Sequence, residues 1–287
     1  EQARWQRANL REMQREYRHA TAVPGDLVEA KSKAMTRCET RWRQARADAD
    51  FKAVLPALSE VWNLTRQEAE ILSEASGLSM YDALLDLYEP DGRAADIDAL
   101  FADYSAFLPD FLDAVLSKQN AQGAFEAPKG PFATNDQRAL GERVMGVLGF
   151  NFDQGRLDVS THPFCGGTPA EVRMTTRYDE ADFTSALMGV IHETGHGLYE
   201  QGLPLGWRHQ PVGRARGMVM HESQSLFMEM QVGRSPAFLS FLRPMMEETF
   251  GGQGQAWSLS NLQRLYSKVQ PSLIRVEADE VTYPTHV

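Results

Sequence analysis

The stretch His192-Glu193-Thr194-Gly195-His196 constrains the fold more than any other part of the chain, because its chemistry requires a helix. Histidines at positions i and i+4 lie about 40° apart around a helix axis and roughly 6 Å apart along it, so both imidazoles can reach one metal ion. Glu193 then points across the same site, where a carboxylate can accept a proton from an attacking water. In the alternative reading, both histidines are hydrogen-bonded core residues of a half-buried helix.

The sequence around this motif predicts the helix itself. Asp179 or Asp182 can cap its start, and apolar residues recur between 183 and 198 at roughly helical spacing. Gly202 and Pro204 end the segment. The motif is therefore predicted to lie in the middle of a helix.

A catalytic zinc ion takes three protein ligands and keeps one position open, so a third ligand is needed. Glu200 would string three ligands along about 12 Å of one helix, which is too far for one ion. Glu222 is the best-placed candidate, 26 positions beyond His196 (222 − 196) on a helix predicted over roughly 216–232. Three other glutamates compete with it on spacing alone: Glu229, Glu247 and Glu248.

Most of the chain is predicted to be helical. The predicted helical segments are rich in Ala, Leu, Glu and Arg and are separated by Pro and Gly; they cover 1–48, 51–76, 79–88, 94–119 and 134–149. Three short strands are predicted at 150–152, 157–160 and 172–178, with the turn between the last two at Pro163, Gly166, Gly167 and Pro169. We expect a helical region over 1–149 and a catalytic zinc region over 150–287, together forming one continuous catalytic domain.

Composition excludes several classes of partner. The net charge of −10 argues against nucleic acid and anionic membranes as partners. No stretch approaches the roughly 18 to 20 apolar residues of a membrane span. Cys38 and Cys165 lack metal-ligand spacing, which fits a reducing cytoplasm. Because the chain starts at Glu1 within a helical pattern and ends abruptly, we expect it to be an internal piece of a longer protein.

Five blocks of sequence together resemble the Taq-type metallocarboxypeptidases, peptidase family M32. The blocks follow the order of the family: HPF at 162–164, EVRMT at 171–175, HETGH at 192–196, HESQ at 221–224 and IRVEAD at 274–279. The second block departs from the family pattern, because Glu171 replaces the usual Asp. A single block would be a weak signal, whereas five in order are specific.

The resemblance implies a mainly α-helical zincin fold with a groove, related to neurolysin and angiotensin-converting enzyme. The strand pattern adds to this a small antiparallel β-hairpin before the zinc helix. The resemblance also implies one zinc ion per chain, or another divalent metal such as cobalt, held by His192, His196 and Glu222, with Glu193 as the general base. The implied reaction removes C-terminal amino acids from peptide substrates that have a free C-terminus. The family also suggests a homodimer.

Three residues are candidates for substrate binding. By family match, Arg275 would bind the free carboxylate, although it could instead pair with Glu277 or Asp279 in a surface network. His286 could stabilise the oxyanion or be an ordinary packed histidine. His162 begins a strand-like segment that could hold the substrate backbone by edge pairing, or it is a structural turn residue.

Two rival functions stay open at this point. The first is a zinc endopeptidase or dipeptidase that uses the same metal helix. The second is a catalytically inert zinc-binding fragment or interaction module, against which the intact Glu193 argues, because binding alone would not need that carboxylate.

Overall fold

The structure, a computed structural model, describes residues 1–160, 163–270 and 279–286, with the backbone alone for Thr285 and His286. The chain forms two compact units. One consists of Glu1–Phe101 with His209–Val212, and the other of Ala102–Arg208 with Gly213–Val287. The expected regions 1–149 and 150–287 of one catalytic domain stay a prediction.

The first unit contains four helices: α1 Gln2–Ala22, α2 Gly25–Ala47, α3 Phe51–Ser76 and α4 Met80–Tyr88. The ends of α2, α3 and α4 fall at or next to the predicted bounds 48, 76 and 88, and the predicted segment 1–48 divides into α1 and α2 at Pro24. Gly77 ends α3 in the left-handed conformation at φ 72°, which glycine adopts without steric cost. The Ser79 hydroxyl then caps α4 by accepting a hydrogen bond from the backbone N–H of Asp82.

The second unit holds the motif helix. Helix α5, Ala94–Ala121, contains the boundary between the units. The later helices are α6 Thr134–Leu148, α7 Phe183–Gln201, α8 Met218–Leu226, a π-helix over Phe227–Gly233, α9 Pro236–Phe250 and α10 Leu259–Tyr266. Short 3₁₀-helices lie at Phe152–Gln154, Leu205–Trp207, Pro211–Gly213, Gln255–Trp257 and Tyr283–His286. Within the described ranges, every helix is too short or too polar to cross a membrane.

A small mixed sheet precedes α7, with strands β1 Gly155–Val159, β2 Phe164–Thr168 and β3 Glu171–Thr176 in the order β1-β3-β2. An antiparallel hairpin is present before α7, as predicted, but it consists of β2 and β3. The strand predicted at 157–160 is β1, which joins β3 in parallel and is not part of the hairpin.

Two details of the strand prediction are wrong. Gly166 and Gly167 lie within β2 and not in a turn, and a side chain at Gly167 would collide with the backbone of Glu171 on the paired strand. Residues 150–152 form no strand, because Phe150 packs into the core and the Asn151 side chain caps the turn that follows. The glycine and aromatic content of a short segment does not by itself distinguish a strand from a turn.

Helix α7 is fixed by apolar contacts on two sides. Ile191 is fully buried in a cluster with residues of α6, α9 and α10, and Val190 is buried in a second cluster with residues of α6 and the sheet. Burying each such side chain contributes about 2 kcal/mol. The Asp182 carboxylate caps the helix by accepting from the backbone N–H of Thr184 at 2.8 Å, and Gly202 follows its last residue, as the sequence predicts.

Candidate metal centre

The motif helix and α8 bring three potential metal ligands together. The Nε2 atom of His196 lies 3.3 Å from Oε2 of Glu222, and Nε2 of His192 lies 3.9 Å from the same oxygen. One donor atom from each of the three residues lies within 4.8 Å of the other two. Tetrahedral ligands about 2.0–2.1 Å from a zinc ion are roughly 3.3 Å apart. The spacing and the N, N, O chemistry of the donors therefore fit a divalent metal such as zinc.

Gly195 allows the two helices to come close enough for this arrangement. A Cβ atom at this position would lie 2.5 Å from the carbonyl oxygen of Gln224 and 2.6 Å from Cα of Ser225. The contact between α7 and α8 is therefore made backbone to backbone. Because Gly195 stands between the two motif histidines, this contact sets their distance from Glu222.

The other glutamates that compete on spacing lie elsewhere. Glu247 pairs with Arg243, and Glu248 forms an exposed ion pair with Arg143. Glu229 contacts the outer nitrogen of a motif histidine and not the cluster of donor atoms. The structure thus brings Glu222, and none of these three, to the Nε2 atoms of both histidines.

Glu222 is held as a carboxylate. Burial works to raise its pKa, but hydrogen bonds from His196 and Tyr283 outweigh burial and lower the pKa to about 2. The Tyr283 hydroxyl donates to Oε1, which leaves Oε2 facing the two imidazoles. An anionic oxygen therefore faces the two Nε2 atoms at any pH near neutrality.

Glu193, on α7, has a different environment from Glu222. Its pKa is raised to about 7, because burial and, to a smaller extent, the charge of Glu222 raise it by more than the charge of His192 lowers it. Its Oε2 atom is buried and has no hydrogen-bond partner among the residues that the structure describes. Leaving a buried carboxylate oxygen unpaired is costly, and such groups concentrate at sites of chemistry.

His192 is oriented by a carboxylate on its outer side. Its Nδ1 atom lies 3.0 Å from Oε2 of Glu229, and Arg234 forms an ion pair with the same carboxylate. Burial lowers the pKa of His192, but the hydrogen bond and charge of Glu229 outweigh burial, so the pKa is raised. Glu229 lies in the π-helical segment. This geometry is rare in proteins, and where it occurs it is frequently found at functional sites.

His196 is oriented by a second imidazole. Its Nδ1 atom lies 2.6 Å from Nδ1 of His221, and Nε2 of His221 lies 3.0 Å from Oε1 of Glu200. Helix spacing excludes Glu200 as a ligand, and the sequence alone predicts no role for His221. The sequence does contain a signal for both residues. Glu200 lies four positions beyond His196, on the same helix face, and His221 opens the HESQ block.

The side chains of the three predicted substrate-binding residues lie outside the described part of the structure. His162 and Arg275 lie outside the described residues, and His286 has its backbone in the Tyr283–His286 turn while its side chain lies outside the description. Their roles stay predictions.

Tyr283 is a residue that sequence analysis missed. Asp279, the last residue of the IRVEAD block, accepts hydrogen bonds from the backbone N–H groups of Val281 and Thr282 at 2.9 and 3.0 Å. This buried carboxylate thereby fixes the turn from which Tyr283 reaches Glu222.

Strand β2 lies beside the centre. In the described part of the chain it pairs with β3 along one edge only. The Cys165 thiol of β2 lies near enough to Glu193 and Glu200 for their charges to act on it. Burial first, and these two carboxylates second, raise the pKa of Cys165 to about 12.

Comparison with known proteins identifies relatives over the whole chain. The family model described as carboxypeptidase Taq (M32) metallopeptidase matches residues 1–287. The thermostable carboxypeptidase 1 of Thermus thermophilus is 38% identical to this chain, and the alignment covers 97% of this chain and 56% of that protein. The chain thus spans about half the length of the curated relatives it matches.

Solved structures give the same result. The structure of Trypanosoma cruzi metallocarboxypeptidase 1 has a TM-score of 0.93 and 46% identity, covering 98% of this chain and 56% of that one. The M32 carboxypeptidase from Deinococcus radiodurans has a TM-score of 0.89 and 33% identity, with the same coverage of 98% and 56%. The expectation of a mainly helical zincin fold is confirmed.

Proposed function

The chain belongs to the carboxypeptidase Taq (M32) metallopeptidase family, and on that premise we propose that it releases C-terminal amino acids from peptides at a zinc centre. The zinc ligands in this proposal are His192, His196 and Glu222. The observation that carries it is the convergence of these donors beside a buried carboxylate oxygen of Glu193 that has no hydrogen-bond partner in the described part of the chain. The names of the relatives favour this reaction over other zinc hydrolases.

The proposed chemistry divides between the ion and one side chain. When bound, zinc acidifies water and polarises a carbonyl. Glu193 accepts the proton of the attacking water and later delivers it to the leaving amine. Burial in the metal-free chain raises the pKa of Glu193 and so favours its protonated form, which helps the carboxylate to take up a proton and hold it for delivery.

Substrate recognition is a separate part of the proposal. We propose that the guanidinium of Arg275 binds the free carboxylate of the substrate, and that His286 stabilises the oxyanion. The segment that begins at His162 leads in sequence into β2, whose outer edge has no strand partner among the described residues and can add an extended peptide by backbone hydrogen bonds. An Arg275→Lys variant should raise KM with a smaller effect on kcat, since an ammonium cannot make the bidentate contact.

Metal content is the first test. The purified chain, loaded with zinc and passed through a desalting column, should retain one zinc ion per chain by elemental analysis. The Glu222→Gln variant should lose most of this zinc, whereas Glu248→Gln, which changes an exposed glutamate, should retain it. Retention of zinc by the Glu222 variant at wild-type affinity would contradict the ligand assignment.

The reaction is tested with matched peptides. A peptide with a free C-terminus should lose its last residue, and its C-terminally amidated twin should not, as measured by mass spectrometry. Glu193→Gln should abolish the release while keeping the zinc. Equal cleavage of both peptides would favour the endopeptidase alternative, and zinc binding without cleavage of any peptide would favour the inert binding module.

The wider setting of the protein is also proposed. The substrates are peptides with a free C-terminus, the protein forms a homodimer, and it works in the cytoplasm. The net charge of −10 disfavours nucleic acid and membrane surfaces as partners, and the two free cysteines fit a reducing compartment. Sedimentation equilibrium of the purified chain tests the dimer, and a single species at the monomer mass would contradict it.

A further inference from the structure

The outer side of His196 carries an arrangement that the proposed reaction does not use. A chain of three side chains runs from Nδ1 of His196 to Nδ1 of His221 at 2.6 Å, and from Nε2 of His221 to Oε1 of Glu200 at 3.0 Å. His221 also lies edge-on to the ring of Tyr199, with ring centroids 5.1 Å apart and an interplanar angle of 89°. The ring of His221 is therefore restrained by contacts on several sides.

Metal binding would fix where the protons of both rings lie. Nε2 of His196 faces Glu222 and must offer a lone pair to a metal ion, so in the metal-bound chain the proton of this ring is on Nδ1. That N–H donates to Nδ1 of His221, which must then be an acceptor. The proton of His221 is consequently on Nε2, where it donates to the carboxylate of Glu200. One carboxylate thus specifies the tautomers of two imidazoles.

We propose that His221 and Glu200 are positioning residues that hold His196 in the tautomer and ring orientation needed for metal binding. The inference rests on the proposed metal centre and assigns these two residues a task within it. His221 directly precedes Glu222 on α8, and Glu200 follows His196 by one turn of α7. The relay therefore links both helices on the outer side of the ligands, as Glu229 does for His192.

Zinc affinity, measured by competition with a chromophoric chelator, tests the proposal. Loss of an outer partner of a histidine ligand typically weakens metal binding 10- to 100-fold. We expect a loss of this size for His221→Ala and for Glu200→Ala. Glu200→Gln should lose less than tenfold, because the amide oxygen can still accept from Nε2 of His221. This partial rescue is a result that a general loss of packing would not give.

Gln201→Ala is the matched control. Gln201 neighbours Glu200 on α7, but its side chain bonds the backbone of Asn151 and not an imidazole. This variant should bind zinc like the wild type even if its melting temperature falls, and melting of each metal-free variant shows that it folds. Unchanged zinc affinity in folded His221→Ala and Glu200→Ala would overturn the inference while leaving the proposed centre intact. Failure of the wild-type chain to bind zinc would overturn both.

Discussion

Replacing Glu193 with Gln should stabilise the metal-free chain, and the gain should grow with pH. Burial raises the pKa of Glu193 from its ordinary value of 4.5 to about 7. Between these two values the folded chain holds a proton that the unfolded chain has released. The folded state therefore becomes less stable as pH rises through this window, and the full cost is present above pH 7.

The magnitude follows from the two pKa values. Each unit of separation is worth about 1.4 kcal/mol, so the interval from 4.5 to about 7 corresponds to about 3 kcal/mol at pH 8. At pH 5 most of this cost has not yet appeared, and about 1 kcal/mol is expected. A glutamine carries no charge at either pH. The variant should accordingly gain about 2 kcal/mol more over the wild type at pH 8 than at pH 5.

Urea unfolding in the presence of a chelator measures this difference. The free energy of unfolding of wild type and Glu193→Gln is compared at pH 5 and pH 8. All other charged groups are the same in both proteins, so their contribution largely cancels. Glu248→Gln is the control, because its exposed carboxylate should give nearly the same small change at both pH values. A stability gap that is independent of pH, or that shrinks toward pH 8, would refute the reasoning.

Three further predictions concern the frame around the site. Gly195→Ala should destabilise the chain by about 3 kcal/mol in urea unfolding and weaken zinc binding, because the new Cβ would meet the backbone of Gln224 and Ser225. Wild-type zinc affinity of this variant would contradict the prediction. Ile191→Ala should lower the free energy of unfolding by about 2 to 5 kcal/mol through the cavity it leaves, and the variant should still bind one zinc ion. A loss under about 1 kcal/mol would show that the apolar cluster around Ile191 can repack. Cys165 should resist a thiolate-directed reagent at pH 8 in the folded chain and react in urea, as followed by mass spectrometry, because burial raises the pKa of its thiol to about 12; rapid labelling of the folded chain would contradict this.

Local patterns made the helical frame and the motif predictable. The cap at Asp182 and the stop at Gly202 define α7 from neighbouring residues alone, because both effects act within one helical turn. The HETGH motif also indicates a helix at the same place, because its two histidines can reach one metal ion only from a helix. The choice of Glu222 over Glu229 was less secure, since spacing allowed both and the resemblance to a family was needed to favour one.

Non-local geometry could not be predicted in the same way. The helix predicted over 216–232 is real, but it begins as α8 at Met218 and changes to π-helix at Phe227, and residue propensities do not encode that change. The contact between His221 and Glu200 depends on how two helices cross. Tyr283 reaches Glu222 over 61 positions of sequence, and no local pattern announces that contact.

The backbone contact at Gly195 also bears on how freely the ligands fluctuate. Exposed side chains exchange rotamers within nanoseconds, whereas two backbones in direct contact have no rotamers to exchange. The distance between the backbones of His196 and Glu222 should then vary little even before an ion arrives. The backbone entropy of these ligands is lost when the chain folds and not when the metal binds, so the backbone of the centre is preorganised and metal affinity is not reduced by a late ordering of the two helices.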